Sequence, residues 1–354
     1  MAFCAQLVDA ALEATGMDVV DALRSFFLLA AATTVSVSIP SSLRSRFLIY
    51  GPRATSTDSD PQSKSRAEDS STSRPLDYLA TWRVPHSYFT QFYIASVFSS
   101  VLWAIQLLCR GSLFEAIASR VDHEHRVQTM SLTQVLVCWI LFAMQGSRRL
   151  WESYYFAKPS TSKMWFVHWL LGLGFYLAAG IAIWIEGSGM DSTDFCEDDG
   201  SRTLSFVLIG SLTIQTEALM KFNLTMDHLK ITRAPSLRTF LCIPLFLVAS
   251  GMQHDCHHFL FSLKKYSLPD HPIFRAVVCP HYGAECIIYL SLALLGAPRG
   301  QMVNKTLLTC LAFVAVNLGI TARTTKNWYL EQFGGDREDY EQIKSRWLMI
   351  PYIY

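Results

Sequence analysis

Polar and ionisable side chains interrupt the apolar runs in the carboxy-terminal part of this 354-residue chain. They are concentrated in four short segments: Gln253-His254-Asp255-Cys256-His257-His258, Leu263-Lys264-Lys265, Cys279-Pro280-His281-Tyr282 with Glu285, and Trp328-Tyr329. Ionisable groups inside a lipid-surrounded helix are costly, and by default they indicate a functional site. The pattern therefore predicts a buried chemical site between residues 250 and 354.

The first segment places three hydrogen-bond donors on one helical stripe. The offsets of 4 and 11 residues from Gln253 to His257 and Lys264 return close to the same azimuth of a helix. We expect these side chains to point in the same direction. Zinc ligation within His254–His258 is an alternative, but the paired spacing of zinc sites is missing, and we predict no metal site. A second alternative is that these residues only solvate a helix end at the membrane interface.

The segment around Pro280 places a carboxylate near the start of a helix. Proline fits the first helical turn, and Glu285 lies one turn beyond His281 on the same face. A carboxylate in apolar surroundings needs a partner. We expect either an ion pair with Arg323 or Lys326, or hydrogen bonds from a bound ligand.

Basic and aromatic residues collect near the end of the chain. Trp328-Tyr329 ends an apolar run, and Arg346 precedes an aromatic terminus. Basic and aromatic side chains of this kind are suited to holding phosphates and an adenine ring. They are equally suited to anchoring the chain at the membrane interface, where the same residue types collect.

The elements that position these groups are predicted to be membrane-spanning helices. Hydrophobic residues make up 51% of the chain and charged residues only 17%, which is typical of a polytopic membrane protein. Several apolar runs approach the ~20 residues needed to cross a bilayer. We predict an all-α polytopic membrane protein with a bundle of about seven transmembrane helices. The runs are Val20–Ile39, Phe89–Leu108, Ser131–Met144, Trp165–Ile185, Leu204–Leu219, Phe240–Met252, Gly283–Leu295 and Lys305–Ile320.

Composition divides the chain into three regions. Residues 1–50 are predicted to hold an amino-terminal anchor helix, and residues 51–77 a disordered polar loop rich in Ser, Thr and Pro. Residues 78–354 are predicted to form the membrane-embedded domain. The net charge of +1 gives no general attraction for nucleic acid. The positive-inside tendency places the basic segments at residues 44–53 and 148–163 in the cytosol.

Five short motifs in one order resemble the steroid 5-alpha-reductase family, and in particular its polyprenal reductase branch. They are Q-H-x-C-H from Gln253, L-K-K from Leu263, F-x-x-V-x-C-P-H-Y-x-x-E from Phe274, A-R-x-x-x-N-W-Y-x-x-x-F from Ala322 and the terminal I-P-Y-I-Y. The resemblance covers Met252–Tyr354 well and the amino-terminal part more loosely. It implies an endoplasmic-reticulum membrane enzyme that uses NADPH to reduce a carbon–carbon double bond conjugated to a carbonyl.

The resemblance also implies roles for individual residues. The side chains implied to bind the cofactor are Gln253, His257, Lys264, His281, Glu285, Tyr329 and Arg346. Among them, Lys264 replaces a family arginine near the phosphates, and His281 with Glu285 stands on the nicotinamide side. Arg346 corresponds to a basic residue of the carboxy-terminal tail.

The amino-terminal helices depart from the family at the group that polarises the substrate carbonyl. Gly146 stands where steroid-reducing members have a tyrosine, and Phe92 where they have a glutamate. A developing enolate oxygen still needs a preorganised donor, typically worth about 3 to 4 kcal/mol. We predict Tyr93 and Arg149 as the catalytic donors. The alternatives are that Tyr93 only packs in the bundle and that Arg149 only anchors its helix.

The loss of the steroid-binding pair favours a long, flexible prenyl substrate. We predict NADPH-dependent reduction of the α,β (2,3) double bond of the α-isoprene unit of polyprenal to dolichal, for dolichol synthesis and protein N-glycosylation. The expected location is the endoplasmic reticulum membrane with the cofactor site facing the cytosol. The expected partners are a long-chain polyprenyl lipid and membrane lipid.

The residues alone do not exclude other functions. Within the family, they are reduction of a 3-oxo-steroid or of an enoyl-CoA. Outside it, a prenylcysteine methyltransferase-like membrane enzyme would also carry Pro, Tyr and Gly near a carboxy-terminal helix, as at Pro280, Tyr282 and Gly283. A transporter or receptor is disfavoured, because its polar residues should be spread along several helices.

Overall fold

The computed structural model describes residues 2–48, 73–109, 111–128, 130–186, 236–264 and 267–352. Most of the predicted polar loop and the predicted span Leu204–Leu219 lie outside these residues. Residues 73–77, at the end of the predicted loop, belong to a helix. The division of the chain into three regions stays a prediction.

Nearly every described element is a helix. The long helices are α2 (Val19–Ser38), α5 (Thr90–Leu108), α8 (Leu132–Tyr155), α9 (Phe166–Ile185), α10 (Leu237–Ser262), α12 (Pro280–Leu295) and α13 (Lys305–Phe333). The shorter helices are α1 (Ala2–Thr15), α3 (Ser41–Phe47), α4 (Ser73–Ala80), α6 (Ser112–Ala118), α7 (His123–Val127), α11 (Pro272–Ala276) and α14 (Arg337–Ser345), with a 3-10 turn at His86–Phe89. The predicted all-α class is confirmed.

Side-chain caps fix where several long helices begin. The carboxylate of Asp18 accepts a hydrogen bond from the Asp21 amide at 2.8 Å before α2. Ser131 and Gln134 form a capping box before α8, and the side chain of Asn304 caps α13. These side chains satisfy backbone N–H groups that have no partner within their helix. The apolar runs therefore become helices with defined first residues.

Helix α5 packs closely against α8 and α9 because small residues face it. A Cβ atom on Gly146 of α8 would lie 2.6 Å from the Ser96 hydroxyl oxygen, and one on Gly172 of α9 would lie 2.6 Å from the Phe92 ring. Small residues let helices approach closely in membranes, where packing holds them together. In the rest of the bundle, α10 packs against α12, α12 against α13, and α13 against α2.

Two short strands align the starts of α5 and α9. Strand β1 (Arg83–Pro85) pairs antiparallel with β2 (Lys163–Trp165), with Val84 opposite Met164. Each strand leads into its helix, so α5 and α9 begin side by side. Helices α8 and α10 end at the same level, and we call this the site end of the bundle. The end at which α2 and α13 begin is called the opposite end.

The bundle has the composition of a multi-pass membrane protein. Among the described residues, four helices are long and apolar enough to cross a membrane: Val19–Ser38, His86–Gln106, Phe166–Ile185 and Lys305–Phe333. Helices α8 and α10 are also long, but polar residues interrupt their apolar runs near the site end. The predicted membrane class is confirmed, whereas the count of about seven spanning helices is not.

The carboxy-terminal segment docks onto the start of α12. The Val278 amide donates a hydrogen bond to the Trp347 carbonyl at 2.8 Å. A Cβ atom on Gly283 would lie 2.5 Å from the Met349 carbonyl oxygen, so only glycine allows this approach. Because α12 begins at the site end, the docked segment holds Arg346 there as well.

Candidate active site

A cavity of about 170 Å³ lies between α5, α8, α9, α10, α12 and α13 near the site end. This volume is below the ~300 to 1,000 Å³ of pockets that enclose a whole drug-sized ligand. The cavity therefore suits the reacting end of a larger ligand. Its lining residues are Phe89, Phe92, Tyr93, Arg149, His168, Leu171, Gly172, Phe175, Tyr176, Gln253, His257, Tyr282, Glu285, Tyr289, Phe313, Val314, Asn317, Leu318 and Thr321.

A buried carboxylate organises the polar side of the cavity. Glu152 of α8 is 2% exposed, and it accepts hydrogen bonds from the guanidinium groups of Arg148 and Arg149 on the same helix. Its oxygens also lie 2.8 Å from Nδ1 of His254 and 2.8 Å from Nδ1 of His257, both on α10. Glu152 thus joins α8 to α10 and fixes the directions of Arg149 and His257.

A second network surrounds Glu285 of α12. Nε2 of Gln145 donates to Oε1 of Gln253 at 2.9 Å and to Oε2 of Glu285 at 3.2 Å. The Gln253 amide also donates to Oε2 of Glu285, and Arg148 donates to Oε1 of Gln253. Among the described residues, nothing donates to the other carboxylate oxygen, Oε1 of Glu285. One oxygen of this carboxylate is therefore left to accept a hydrogen bond from a ligand.

Of the two alternatives expected for Glu285, the ion pair with Arg323 or Lys326 is not formed among the described residues. The Lys326 ammonium instead donates to the backbone carbonyls of Lys344 at 2.7 Å and Arg346 at 2.6 Å. The physical reason is the direction of α12, which turns Glu285 towards the amide side chains of α8 and α10. Glutamine donors from those helices satisfy the carboxylate in place of a cation from α13.

Tyr93 and Arg149 meet where the polar and apolar walls join. Nη2 of Arg149 donates to the Tyr93 hydroxyl oxygen at 2.5 Å, and the guanidinium carbon lies 4.7 Å from the ring centre. Because the hydroxyl oxygen accepts this bond, the Tyr93 O–H remains able to donate. Hydrogen bonds in a chain polarise one another, and the contact with a cation strengthens this donor. The pair therefore presents a strong donor to the cavity.

The facing wall is built of aromatic and aliphatic side chains. The rings of Phe89 and Phe92 are 5.1 Å apart, and those of Phe175 and Phe313 are 5.3 Å apart. Phe92 thus gives the cavity hydrocarbon surface at the position where the family resemblance implied a glutamate in steroid-reducing members. Gly146 faces α5 and does not line the cavity. This wall is suited to a hydrocarbon chain.

His281 and Arg346 lie near the site end, and each has a buried polar atom without a hydrogen-bond partner among the described residues. The His281 ring centre is 5.3 Å from that of His257, and its buried Nδ1 has no hydrogen-bond partner among the described residues. Arg346 is 3% exposed and donates to the Pro269 carbonyl at 3.4 Å, but its buried Nε has no partner in the described part of the chain. Buried polar atoms are normally paired, so these two indicate a missing ligand or water.

Lys264 and Tyr329 lie farther from the cavity. Helix α10 ends at Ser262, Leu263 is extended with a ψ of 148°, and Lys264 is exposed. The prediction that Lys264 shares a stripe with Gln253 is therefore wrong, because the helix stops first. Tyr329 is buried in α13 on the site-end side of the cavity residues of that helix.

The structure brings Tyr93, Arg149, Gln253, His257 and Glu285 to one cavity. Several polar residues that lie with them were not predicted from the sequence, namely Gln145, Arg148, Tyr176 and Asn317. Gln145, Arg148 and Arg149 precede Glu152 by 7, 4 and 3 residues, which is a polar stripe on an otherwise apolar helix and a usable signal. Tyr176 lies within an apolar run and carries no such signal.

The fold and the cavity define a helical, multi-pass membrane protein with a chemically equipped cavity near one end of its bundle. Comparison with known proteins narrows this class. Residues 206–354 match the model of the family described as 3-oxo-5-alpha-steroid 4-dehydrogenase. The carboxy-terminal part of the chain is therefore similar to this family, and the resemblance predicted from its motifs is confirmed.

Curated relatives align over most of the chain. Polyprenal reductase 2 of Oryza sativa subsp. japonica is 25% identical over 355 residues, which cover 92% of this chain and 93% of the relative. Polyprenal reductase 1 of Arabidopsis thaliana is 27% identical over 286 residues (77% and 82%). Polyprenal reductase of Saccharomyces cerevisiae is 26% identical over 267 residues (75% and 76%). The similarity thus extends beyond the family-model match into the amino-terminal helices.

Proposed function

We propose that this chain is an NADPH-dependent polyprenal reductase. The reaction is reduction of the 2,3 double bond of the α-isoprene unit of polyprenal to give dolichal, in dolichol synthesis for protein N-glycosylation. The observation that carries the proposal is the Tyr93–Arg149 pair, which presents a donor beside an apolar wall in one cavity. The names of the curated relatives support the same substrate class.

The cavity residues fit the nicotinamide end of the cofactor. Glu285 offers an unused carboxylate oxygen, which would accept a hydrogen bond from the carboxamide N–H. Gln253 and His257 line the same wall, and the unpartnered Nδ1 of His281 lies behind His257. When bound, NADPH would supply the hydride for the reduction.

Three further residues are proposed to hold the rest of the cofactor. Arg346 is buried at the site end with an unpartnered Nε, which fits a phosphate oxygen. Tyr329 is buried in the same region and offers an aromatic ring and a hydroxyl group. Lys264 is exposed where the site end meets solvent, so it would contribute a screened charge near the phosphates.

The chain's own residues would stabilise charge on the substrate. As a hydride adds to the β-carbon, the π electrons move towards the aldehyde oxygen, and Tyr93 donates a hydrogen bond to that oxygen. Arg149 holds Tyr93 in place, and Glu152 holds Arg149. A proton then adds to the α-carbon to give the saturated aldehyde. One preorganised donor of this kind contributes roughly 10² to 10³ in kcat.

The bundle is proposed to lie in the endoplasmic reticulum membrane with its site end facing the cytosol. Basic residues flank the helices at that end, including Arg44, Arg46, Arg83, Lys158 and Lys163, and such residues are enriched on the cytosolic side. The apolar wall of the cavity would take the first isoprene units, while the rest of the polyprenyl chain stays in lipid.

Purified protein assayed with NADPH and three substrates tests the proposal. We expect NADPH oxidation with an α,β-unsaturated prenyl aldehyde and much slower oxidation with a 3-oxo-4-ene steroid or an enoyl-CoA. Methyl transfer from S-adenosylmethionine to a prenylated cysteine is the parallel assay and should give no product. No NADPH turnover with the prenyl aldehyde would contradict the proposal.

A further inference from the structure

We infer that Tyr176 of α9 is a second hydrogen-bond donor to the substrate aldehyde oxygen, acting beside Tyr93. The inference rests on the proposed function and adds a catalytic residue to it. An aldehyde oxygen has two lone pairs and accepts two hydrogen bonds. Tyr93 would satisfy one lone pair and Tyr176 the other.

Tyr176 lies where such a donor is needed. It lines the cavity, and its ring makes an edge-on contact with the Tyr93 ring, with centres 5.8 Å apart and planes at 64°. The pairing of β1 with β2 sets α9 beside α5 and produces this contact. Side chains of a helix lean towards its amino terminus, and both helices begin at the site end, so both tyrosines lean the same way.

The Tyr176 hydroxyl has no protein partner in the part of the chain that the structure describes. The Tyr93 oxygen, by contrast, already accepts a hydrogen bond from Arg149. Tyrosine hydroxyls in apolar surroundings usually have a hydrogen-bond partner. Because Tyr176 lines the cavity, a ligand bound there would supply that partner.

Two other polar side chains in the cavity are less well placed. Tyr289 of α12 lies one turn beyond Glu285 and packs its ring against Phe175 at 5.8 Å. Asn317 of α13 lines the cavity at the apolar wall. Among the described tyrosines, Tyr176 is the one whose ring contacts Tyr93. We therefore expect an oxygen bound by Tyr93 to lie closer to Tyr176 than to Tyr289 or Asn317.

The direct test is the carbonyl stretch of bound geranial, labelled with ¹³C at the aldehyde carbon. Infrared difference spectra are recorded with NADP⁺, so that no reduction occurs. Each hydrogen bond lowers the stretching frequency of a carbonyl group. We expect Tyr176→Phe and Tyr93→Phe each to move the band to higher frequency, and the double variant to move it farther. Tyr88→Phe is the matched control, because Tyr88 is 38% exposed and lies outside the cavity.

Kinetics with geranial and NADPH give the second readout. We expect Tyr176→Phe to lower kcat by about 10- to 100-fold, with the KM for NADPH and the unfolding temperature unchanged. An unmoved carbonyl band in Tyr176→Phe would overturn the inference while leaving the reductase function intact. A rise in the KM for NADPH alone would also overturn it, because Tyr176 would then contact the cofactor. A band that moves only in Tyr289→Phe assigns the role to Tyr289 and likewise overturns it.

Failure of the proposed function has a different signature. Wild-type protein that binds geranial with a lowered carbonyl band, but does not oxidise NADPH, would contradict the reductase function and retain the hydrogen bond from Tyr176. Wild-type protein that binds no geranial would contradict both.

Discussion

Two clusters of buried polar residues lie at the two ends of the bundle, and only the one at the site end borders the cavity described above. The opposite cluster consists of Asp18, Arg24, His125, Glu186 and Thr306. Asp18 accepts hydrogen bonds from the backbone amides of Asp21 at 2.8 Å and Asp122 at 2.9 Å, and it lies 2.7 Å from Nδ1 of His125. Burial alone would raise the pKa of Asp18, but these donors lower it below its ordinary value.

The other polar groups of the opposite cluster are also hydrogen-bonded to one another. Arg24 donates to Oγ1 of Thr306 at 2.8 Å and lies 3.5 Å from a carboxylate oxygen of Glu186. The cluster joins the starts of α2 and α13 to the end of α9 and to the α6–α7 region. Because its groups bond to one another, we expect this cluster to hold helices together.

The site cluster consists of Gln145, Arg148, Arg149, Glu152, Gln253, His257 and Glu285. Its members also bond to one another, but some hydrogen-bond donors and acceptors in and beside the cluster remain unused. In the described part of the chain, Oε1 of Glu285 accepts no hydrogen bond and the O–H of the adjoining Tyr93 donates none, and both residues line the cavity. Buried charge by itself therefore does not identify a functional site in a membrane protein. Unused donors and acceptors beside a cavity do.

The largest expected effect comes from Glu152→Ala. This change leaves the guanidinium groups of Arg148 and Arg149 buried without a carboxylate, which costs about 3 to 5 kcal/mol of the free energy of unfolding. It also releases Tyr93, so we expect kcat to fall by at least ~10³-fold in the folded fraction. Thermal unfolding and NADPH oxidation check the two effects.

The matched variant at the opposite end is Asp18→Ala. It removes a helix cap and a buried acceptor, and we expect it to lower the free energy of unfolding by about 1 to 2 kcal/mol while kcat stays unchanged. A large loss of kcat in this variant would contradict the conclusion that only the site cluster serves the reaction.

Tyr93→Phe should have the next largest effect. It removes one hydroxyl group and keeps the ring that packs against Phe89 at 5.6 Å. We expect kcat to fall by roughly 10²- to 10³-fold, because a donor to the developing oxyanion is lost. The unfolding temperature and the KM for NADPH should be unchanged. Full activity in this variant would show that Tyr93 only packs in the bundle.

Glu285→Gln should weaken cofactor binding. The neutral amide replaces a carboxylate that offers a free oxygen to the cavity. Hydrogen bonds to charged groups contribute about 1.5 to 3 kcal/mol, so we expect the Kd for NADPH to rise by roughly 10- to 100-fold. Titration of intrinsic tryptophan fluorescence measures this affinity without turnover. Wild-type affinity would remove Glu285 from the proposed cofactor site.

Lys264→Ala should have the smallest effect. Its side chain is exposed beyond the end of α10, and exposed charges are screened by salt. We expect a rise of a few-fold in the KM for NADPH at low ionic strength, which disappears at about 1 M salt, where the screening length is about 3 Å. An effect that persists at high salt would show that Lys264 is buried against the phosphates.

The spanning helices could be predicted from the sequence because lipid-facing runs are almost purely apolar. The end of α8 could not, because its apolar run stops at Met144 whereas the helix continues to Tyr155. Glu152 in this extension is bonded by His254 and His257 of α10, which are far away in sequence. Long-range pairing of this kind is invisible to a local hydropathy pattern.

The candidate site could be predicted in part from the sequence, since Tyr93 and Arg149 were proposed as donors and both line the cavity. Gln253, His257 and Glu285 come from the family motifs and also line the cavity. The partner of Glu285 was not predictable, because it depends on how α8 crosses α12. Tyr176 was not predicted either, because a single tyrosine in an apolar helix is normally interpreted as a packing residue unless its neighbours are known.

The most direct test of the central claim follows the hydride itself. Polyprenal is incubated with purified protein and NADPH deuterated at the transferred position of C4, and the product is analysed by mass spectrometry and NMR. We expect a saturated aldehyde with one deuterium on the β-carbon. Deuterium on the aldehyde carbon with the double bond intact, or no transfer at all, would contradict the central claim.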